Sequence, residues 1–403
     1  VHSARSIAAR SGATFAIAAP YCLCVNPPVR LPNRRRAAVR LVASLCALLL
    51  VPRAQRHAAA QLASEHLYIG ANRPIVVTVD EVADAEEQLE IRLLEPGTAA
   101  TVERASVASG RIDLAAMFPV LWTSRAPRLL YAQLFVGDTP RGSALVIQPL
   151  MAAPRASDAL TTAVMSALKR GDRAAIDQIF SASESWRERL RQTAQLEAEP
   201  APSVLYGLRV YPDREVVIET SAGEMRIRLR PDAAPQTAFH VLSLVEGGFY
   251  DGTPFHRIVN ADARGRPFIV QTGDPTGLGA GGPGFRLDFE PSSLRHDFGV
   301  LSMARLPHEP DSAGSQFFIC LSREGCAVLD DQYCAFAEVV QGADTLLMIA
   351  ATPVGPVNPD NPSSAHERPL DPPVIEHARV SPAPPYGTGP ARIVREQAAP
   401  IDR

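Results

Sequence analysis

The apolar residues of this chain change period near residue 155, from the two-residue alternation of strands to the three-and-four spacing of helices. That switch excludes a uniform all-β chain, and 403 residues exceed one ordinary core. At roughly 100 to 200 residues per domain, two domains plus connecting or trailing segments are expected. From Gln61 to Pro154 the runs at 74–79, 89–94, 129–136 and 144–147 read as strands. Gly97, Gly110, Gly137-Asp138 and Pro140-Arg141-Gly142 punctuate them as turns. A small β-sandwich-like domain over 61–154, immunoglobulin-like in outline, is the expectation. Nothing in it looks catalytic, and Trp122 reads as a packing residue.

Residues 155–202 read as a helical connector and linker. Leu160, Val164 and Leu168, then Ile176, Ile179 and Phe180, repeat at helical spacing, and Gly171-Asp172 separates the two sets. Ser181 with Glu184 forms a candidate capping box for a third helix. The segment braces the two domains on this reading, with partner binding as the sharper alternative.

The net charge of -3 gives no global pull toward nucleic acid or an anionic membrane, so no nucleic-acid partner is expected. Lys169 is the only lysine, which reads as codon bias and carries no functional weight. The chain starts at Val1 and its first methionine is Met117, so residues 1–33 need not belong to the cellular protein. Arg34-Arg35-Arg36 and Arg40, the apolar run Leu41 to Val51, and Ala58-Ala59-Ala60 have the order of a secretory signal cut near Gln61. The expected location is therefore exported, periplasmic or cell-envelope. The run is well short of the roughly 20 residues that span a bilayer, so no stable span is expected after processing. An uncleaved anchor is the alternative, because Arg53, Arg56 and His57 make the cleavage region basic. Cys46 follows Leu45 inside the run, which disfavours a lipoprotein signal. The mature chain keeps Cys320, Cys326 and Cys334; a Cys320–Cys326 disulfide and two packed thiols both remain open. No zinc spacing occurs, and no structural metal is expected.

Four short segments carry the chemistry: Phe255-His256-Arg257-Ile258, Phe268-Ile269-Val270-Gln271, Gly314 to Ile319 (GSQFFI) and Leu329-Asp330-Asp331-Gln332-Tyr333. Val216–Thr220, Gly281–Phe285, Leu301–Arg305 and Pro372–Glu376 fall around them in order. Together the stretch from about Glu215 to Val380 resembles the cyclophilin family of peptidyl-prolyl cis-trans isomerases. The resemblance implies a mainly β fold for 203–380, a closed eight-stranded β-barrel with two capping helices. Residues 381–403, poor in large apolar side chains, are expected to form a disordered tail.

The implied reaction is rotation about an X-Pro bond, which faces a barrier of about 18–20 kcal/mol from amide resonance. No bond is made or broken, so a catalyst needs only to bind the twisted state better than either planar one. A guanidinium suits this, since its charge is independent of pH and its fork can serve nitrogen and carbonyl together. By resemblance Arg257 is the catalytic arginine, and Gln271 orients it and binds substrate. Phe268, Ile269, Phe318 and Leu329 line the proline pocket, and Gln316 binds substrate from the neighbouring strand. The backbone of Ala304 and Arg305 pairs with the residue before proline, and Tyr333 closes one side. His256 is expected to point away from Arg257, into the structure, by strand alternation.

The glycines at 277–284 lack the Gly-Lys-Ser/Thr ending of a phosphate loop and read as a tight turn beside the pocket. Asp330-Asp331 alone is weak evidence for a cation. Asn260–Pro267 lengthens the loop beside the site relative to the family, and Gly325–Val328 replaces the family's tryptophan segment, implying weak cyclosporin binding. The expectation is a cofactor-free isomerase, a monomer, acting on proline-containing polypeptide clients among exported proteins. The alternatives are a proline-peptide binding module of the envelope with little turnover, and a structural envelope protein.

Overall fold

The computed structural model describes residues 62–81, 88–152, 170–174, 204–358, 360–361 and 364–395. The expected signal segment and nearly all of the connector lie outside the described residues. The first strands are β1 (Leu62–Ser64), β2 (Tyr68–Gly70), β3 (Val76–Val79), β4 (Leu89–Leu94), β5 (Thr101–Ser106), β6 (Gly110–Asp113), β7 (Leu130–Val136), β8 (Thr139–Ala152) and β9 (Val204–Pro212). They form a three-stranded sheet, β1-β3-β6, and a six-stranded sheet, β2-β9-β8-β7-β4-β5.

Strand alternation sorts the side chains of the larger sheet onto two faces. Ile91, Leu93, Ala132, Leu134, Leu145, Ile147, Leu208 and Val210 pack with Leu62, Val77 and Val79 of the smaller sheet, and with Ile75 just before β3, in one core. Leu94, Tyr131, Ala144, Val146 and Tyr211 turn the other way and join the core of the second half. Burial on both faces explains why every residue of β7 is buried. Trp122 is half-buried against the first core, and its indole N–H donates to the Arg73 carbonyl at 3.0 Å.

The second half contains β10 (Arg214–Thr220), β11 (Gly223–Leu229), β12 (Thr253–Pro254), β13 (Arg257–Val259), β14 (Ile269–Thr272), β15 (Val300–Met303), β16 (Phe317–Cys320), β17 (Ala335–Gln341), a hairpin of β18 (Val354–Pro356) and β19 (His366–Pro369), and β20 (Val374–Pro382). The main sheet runs β12-β20-β10-β11-β17-β15-β16-β14-β13. Its two edges, β12 and β13, are one extended run broken only at Phe255-His256, so the sheet curls until both ends share one stretch of chain. Counted as one strand, that run makes the barrel eight-stranded, as expected.

Antiparallel register carries Ile258, Val270, Ile319, Leu301 and Ala337 across five strands in one row. All five are at most 2% exposed and form the barrel interior. Burial of each large member contributes about 1.5–3 kcal/mol. Helices α1 (Pro235–Glu246) and α3 (Ala343–Ala350) flank a short α2 (Arg323–Cys326) in sequence. Val241, Leu242 and Val245 of α1 and Leu346 and Ile349 of α3 pack into the same core. Ala234 offers no side-chain cap to α1; the distant Glu290 carboxylate accepts from the Gln236 and Thr237 amides at 2.9 and 2.8 Å instead. Gly342 (φ +98°) leads into α3, where a Cβ would lie 2.5 Å from the Glu224 carbonyl.

Two expectations change. Residues 204–212 belong to β9 of the N-terminal sheet, so the joint falls at Asp213, between β9 and β10, rather than at 202/203. The cause is long-range pairing of β9 with β8, across the whole connector. The expected disordered tail also packs over 381–395. Tyr386 stacks on Tyr131 at 3.7 Å between centroids, and its hydroxyl accepts from the Gly97 amide at 2.8 Å. Ile393 is 5% exposed, and its amide donates to the Val339 carbonyl at 3.0 Å. Few large side chains are present, but Ile393 is buried and Tyr386 half-buried, which composition alone does not register.

Candidate active site

The register that builds the interior also builds the site. One residue along from the apolar row, Arg257 pairs with Gln271, Gln271 with Phe318, and Phe318 with Ser302. Period two turns this row to the outside of the barrel. There Ile269, Phe318, Cys320 and Cys326 make a small separate apolar cluster, with Phe268, Ala304, Leu329 and Tyr333 packed on it. Above that bed lies a cavity of about 560 Å³. It is lined by Arg257, Phe268, Ile269, Gln271, Ala304, Arg305, Phe318, Leu329 and Tyr333, which are all of the sequence-derived site residues except Gln316.

Gln316 stands behind the wall. Arg257 Nη1 donates to Gln271 Oε1 at 3.2 Å, and Gln271 Nε2 donates to Gln316 Oε1 at 3.0 Å. Gln316 Nε2 donates in turn to the carbonyls of Gly279 and Gly281, at 3.0 and 2.9 Å. The chain of amides anchors Nη1 of the guanidinium, and Gln316 opens onto a neighbouring cavity of about 580 Å³ instead. Arg257 Nε donates to Glu367 Oε2 at 2.6 Å. Nη2 has no protein partner among the described residues, so two N–H groups of a fixed cation remain available beside the apolar bed.

Phe318 is itself braced. His296, 1% exposed, lies parallel to its ring at 6.0 Å, with Nε2 within 2.9 Å of the Ser302 hydroxyl. Asp330 accepts from His296 N and Nδ1 at 2.9 and 3.0 Å, and pairs with Arg323 at 2.6 Å. Burial pushes the Asp330 carboxyl up, but Arg323 and the His296 donors outweigh it and hold the group well below the usual range. Asp330 is thus a strut for the pocket. Tyr333 meets Phe318 edge-on at 5.7 Å, and the Arg305 guanidinium lies 4.5 Å from the Tyr333 ring centroid.

The glycine-rich segment closes another wall. Asp274 accepts from the amides of Thr276, Gly279 and Gly281. Burial opposes the charge, yet these donors pull the carboxyl down to about 2. The amides a phosphate cradle would need are therefore engaged internally. The enlarged loop folds on itself, with Asp262 accepting from the Arg264 and Arg266 amides at 2.9 Å and from the Arg266 side chain. The Leu321 amide then holds the Phe268 carbonyl at 2.8 Å, which restores the register of Ile269 to Gln271.

His256 departs from expectation. It lines the cavity beside Arg257, because Phe255-His256 is the break between β12 and β13 and strand alternation does not cross it. Both ring nitrogens are buried without a partner of good hydrogen-bond geometry, and burial, the largest influence, lowers its pKa. Cys320 and Cys326 are free buried thiols under the bed, with Cys326 Sγ donating to the Phe268 carbonyl at 3.0 Å. Sequence reasoning missed Glu367, Arg368 and Val357, which reach the cavity from the β18–β19 hairpin and its approach. Their sole signal was a charged pair at the end of a Pro- and Ser-rich loop.

Comparison with known proteins bears on the family of the chain. The sequence model of the family described as cyclophilin type peptidyl-prolyl cis-trans isomerase/CLD matches residues 215–380. A Staphylococcus saprophyticus protein named "Putative peptidyl-prolyl cis-trans isomerase" is 33% identical over 172 residues, covering 35% of this chain and 83% of that protein. A Staphylococcus aureus protein of the same name is 31% identical over 197 residues, covering 41% of this chain and 91% of its own. A crystal structure of a Cryptosporidium parvum cyclophilin type isomerase, in the presence of the dipeptide Ala-Pro, is 31% identical over 41% of this chain and 98% of its own, with a TM-score of 0.35. The chain belongs to the cyclophilin-type peptidyl-prolyl cis-trans isomerase family. Its activity is cis-trans isomerisation of prolyl bonds in proline-containing polypeptides.

Proposed function

We propose that Arg257 is the catalytic donor and that the surrounding cavity binds the prolyl segment. The observation that supports this is the guanidinium held at Nε and Nη1 with Nη2 left over, beside an apolar bed on fixed strands. As the prolyl amide twists, its nitrogen loses conjugation and becomes an acceptor, and Nη2 meets it with a charge-assisted hydrogen bond absent from the planar states. Phe268, Ile269, Phe318, Leu329 and Tyr333 grip the ring. Backbone groups of Ala304 and Arg305 hold the preceding residue, and Gln271 steers Arg257, with Gln316 supporting it from behind.

Arg257→Ala in the full chain lowers kcat/KM for a proline-containing tetrapeptide by about 10²–10³-fold, the loss typical of one removed transition-state donor. Activity within threefold of wild type, at matched thermal stability, sinks the assignment and favours the binding-module reading. The full chain is required, because a fragment starting at 203 strands β9 without its partners β8 and β2.

The clients are proposed to be exported proteins, on the strength of the Arg34–Ala60 signal pattern. Among the described residues no helix is long and apolar enough to cross a membrane. N-terminal sequencing of the protein from fractionated cells reads this proposal: a start near Gln61 in the envelope fraction supports it, and a cytosolic protein with residues 34–60 intact refutes it.

A further inference from the structure

We infer that Glu367 is a positioning residue for the isomerase reaction, setting the plane of the Arg257 guanidinium from a β-bulge outside the barrel. The inference rests on the reading of Arg257 as donor. In the β18–β19 hairpin Gly355 pairs with Arg368 while Pro356 pairs with His366, so Glu367 is the extra residue of a bulge. A bulge re-aims side chains that a regular strand would send to opposite faces. Here the consecutive Glu367 and Arg368 both line the cavity, which two-residue alternation forbids in a regular strand.

Among the described residues Glu367 is the one carboxylate lining that cavity, where it meets Arg257 Nε at 2.6 Å. Gln271 alone, at 3.2 Å from Nη1, leaves the guanidinium free to swing about that contact. A second contact at Nε, from a group on a different element, fixes the plane and so the direction of Nη2. Pure attraction between a partly exposed pair contributes little to stability, so the effect belongs in the rate. The side chains of Arg257 and Glu367 are 39% and 23% exposed, and replacement at 367 leaves the barrel interior untouched.

The test uses the full chain, a proline-containing tetrapeptide, and the variants Glu367→Ala, Glu367→Gln, Arg257→Ala and Arg257→Ala/Glu367→Ala. Positioning predicts that Glu367→Ala lowers kcat about ten- to thirtyfold while peptide affinity changes less than about twofold. Glu367→Gln, which keeps an acceptor, recovers part of the loss. In the Arg257→Ala background Glu367→Ala has no further effect. Unchanged kcat in Glu367→Ala, a loss confined to peptide affinity, or a further loss in the double variant each overturns the proposal while leaving Arg257 as donor. Full activity in Arg257→Ala alone removes both readings.

Discussion

The front of the barrel and the seam with the N-terminal sheet each hold a cavity lined by arginines, and they treat them differently. At the front of the barrel Arg257 gives Nε to Glu367 and Nη1 to Gln271, and Nη2 has no protein partner among the described residues. At the seam with the N-terminal sheet a cavity of about 330 Å³ is lined by Tyr131, Asp213, Arg228, Arg230, Asp232, Glu338 and Tyr386. There Arg230 donates to Asp232 at 2.9 and 2.7 Å and to Glu338 at 2.8 Å, and Arg228 Nη2 donates to the Pro390 carbonyl at 2.6 Å. The seam directs its arginines at protein acceptors on three sides, whereas the front holds one so that a single edge faces outward. A half-buried cation with its partners supplied internally acts as a structural joint, whereas one beside apolar surface with a donor left over has the features that ligand sites use.

The sharpest way to test that contrast is Tyr386→Ala at the seam. The ring is half-buried, stacks on Tyr131, and its hydroxyl and backbone amide join Gly97 and Gln133. Truncation is expected to reduce unfolding free energy by about 2–3 kcal/mol, below the range for a fully buried aromatic, while kcat/KM of the folded protein stays at wild type. Urea unfolding and a tetrapeptide assay on the same preparation check both. A parallel fall in kcat/KM would show that the seam sets the geometry of the front and erase the distinction.

What was legible in the sequence follows the same division. Arg257, Gln271 and Phe318 lie in short ordered motifs that the family resemblance singles out, and the register sets them in one cross-strand row. Glu367 was not, because its approach depends on a bulge in a loop with no regular pattern. His256 was misplaced because alternation was carried across a break in the strand. At the seam β9 was assigned to the wrong half, since only pairing with β8 identifies it. The 381–395 segment was read as disordered because a mean over composition hides two well-placed anchors, Tyr386 and Ile393. Local pattern reports faces and periods; which distant strand or carboxylate completes them is decided by tertiary packing.

A smaller effect probes the seam through Asp213. Asp213 occupies the single residue between β9 and β10, and its carboxylate accepts from the Arg214 amide at 3.0 Å. Burial pushes its pKa up to about 7; the Arg214 amide and Arg228 pull it down, and Asp232 and Glu215 raise it further. The folded protein therefore keeps a proton on Asp213 that the unfolded chain, with an ordinary carboxyl near 3.8, has released. Wild-type stability contributed by this group is full below pH 4, declines as pH rises to about 7, and is flat above. Asp213→Asn keeps the acceptor and does not titrate, so its stabilisation relative to wild type should grow through that window. Partial exposure of the residue holds the gain to about 1–2 kcal/mol at pH 8. Unfolding midpoints of both proteins at pH 4, 6 and 8 decide the matter. A constant difference across the series would mean that Asp213 is already ionised in the folded state, and that the seam neutralises its acids as completely as its arginines.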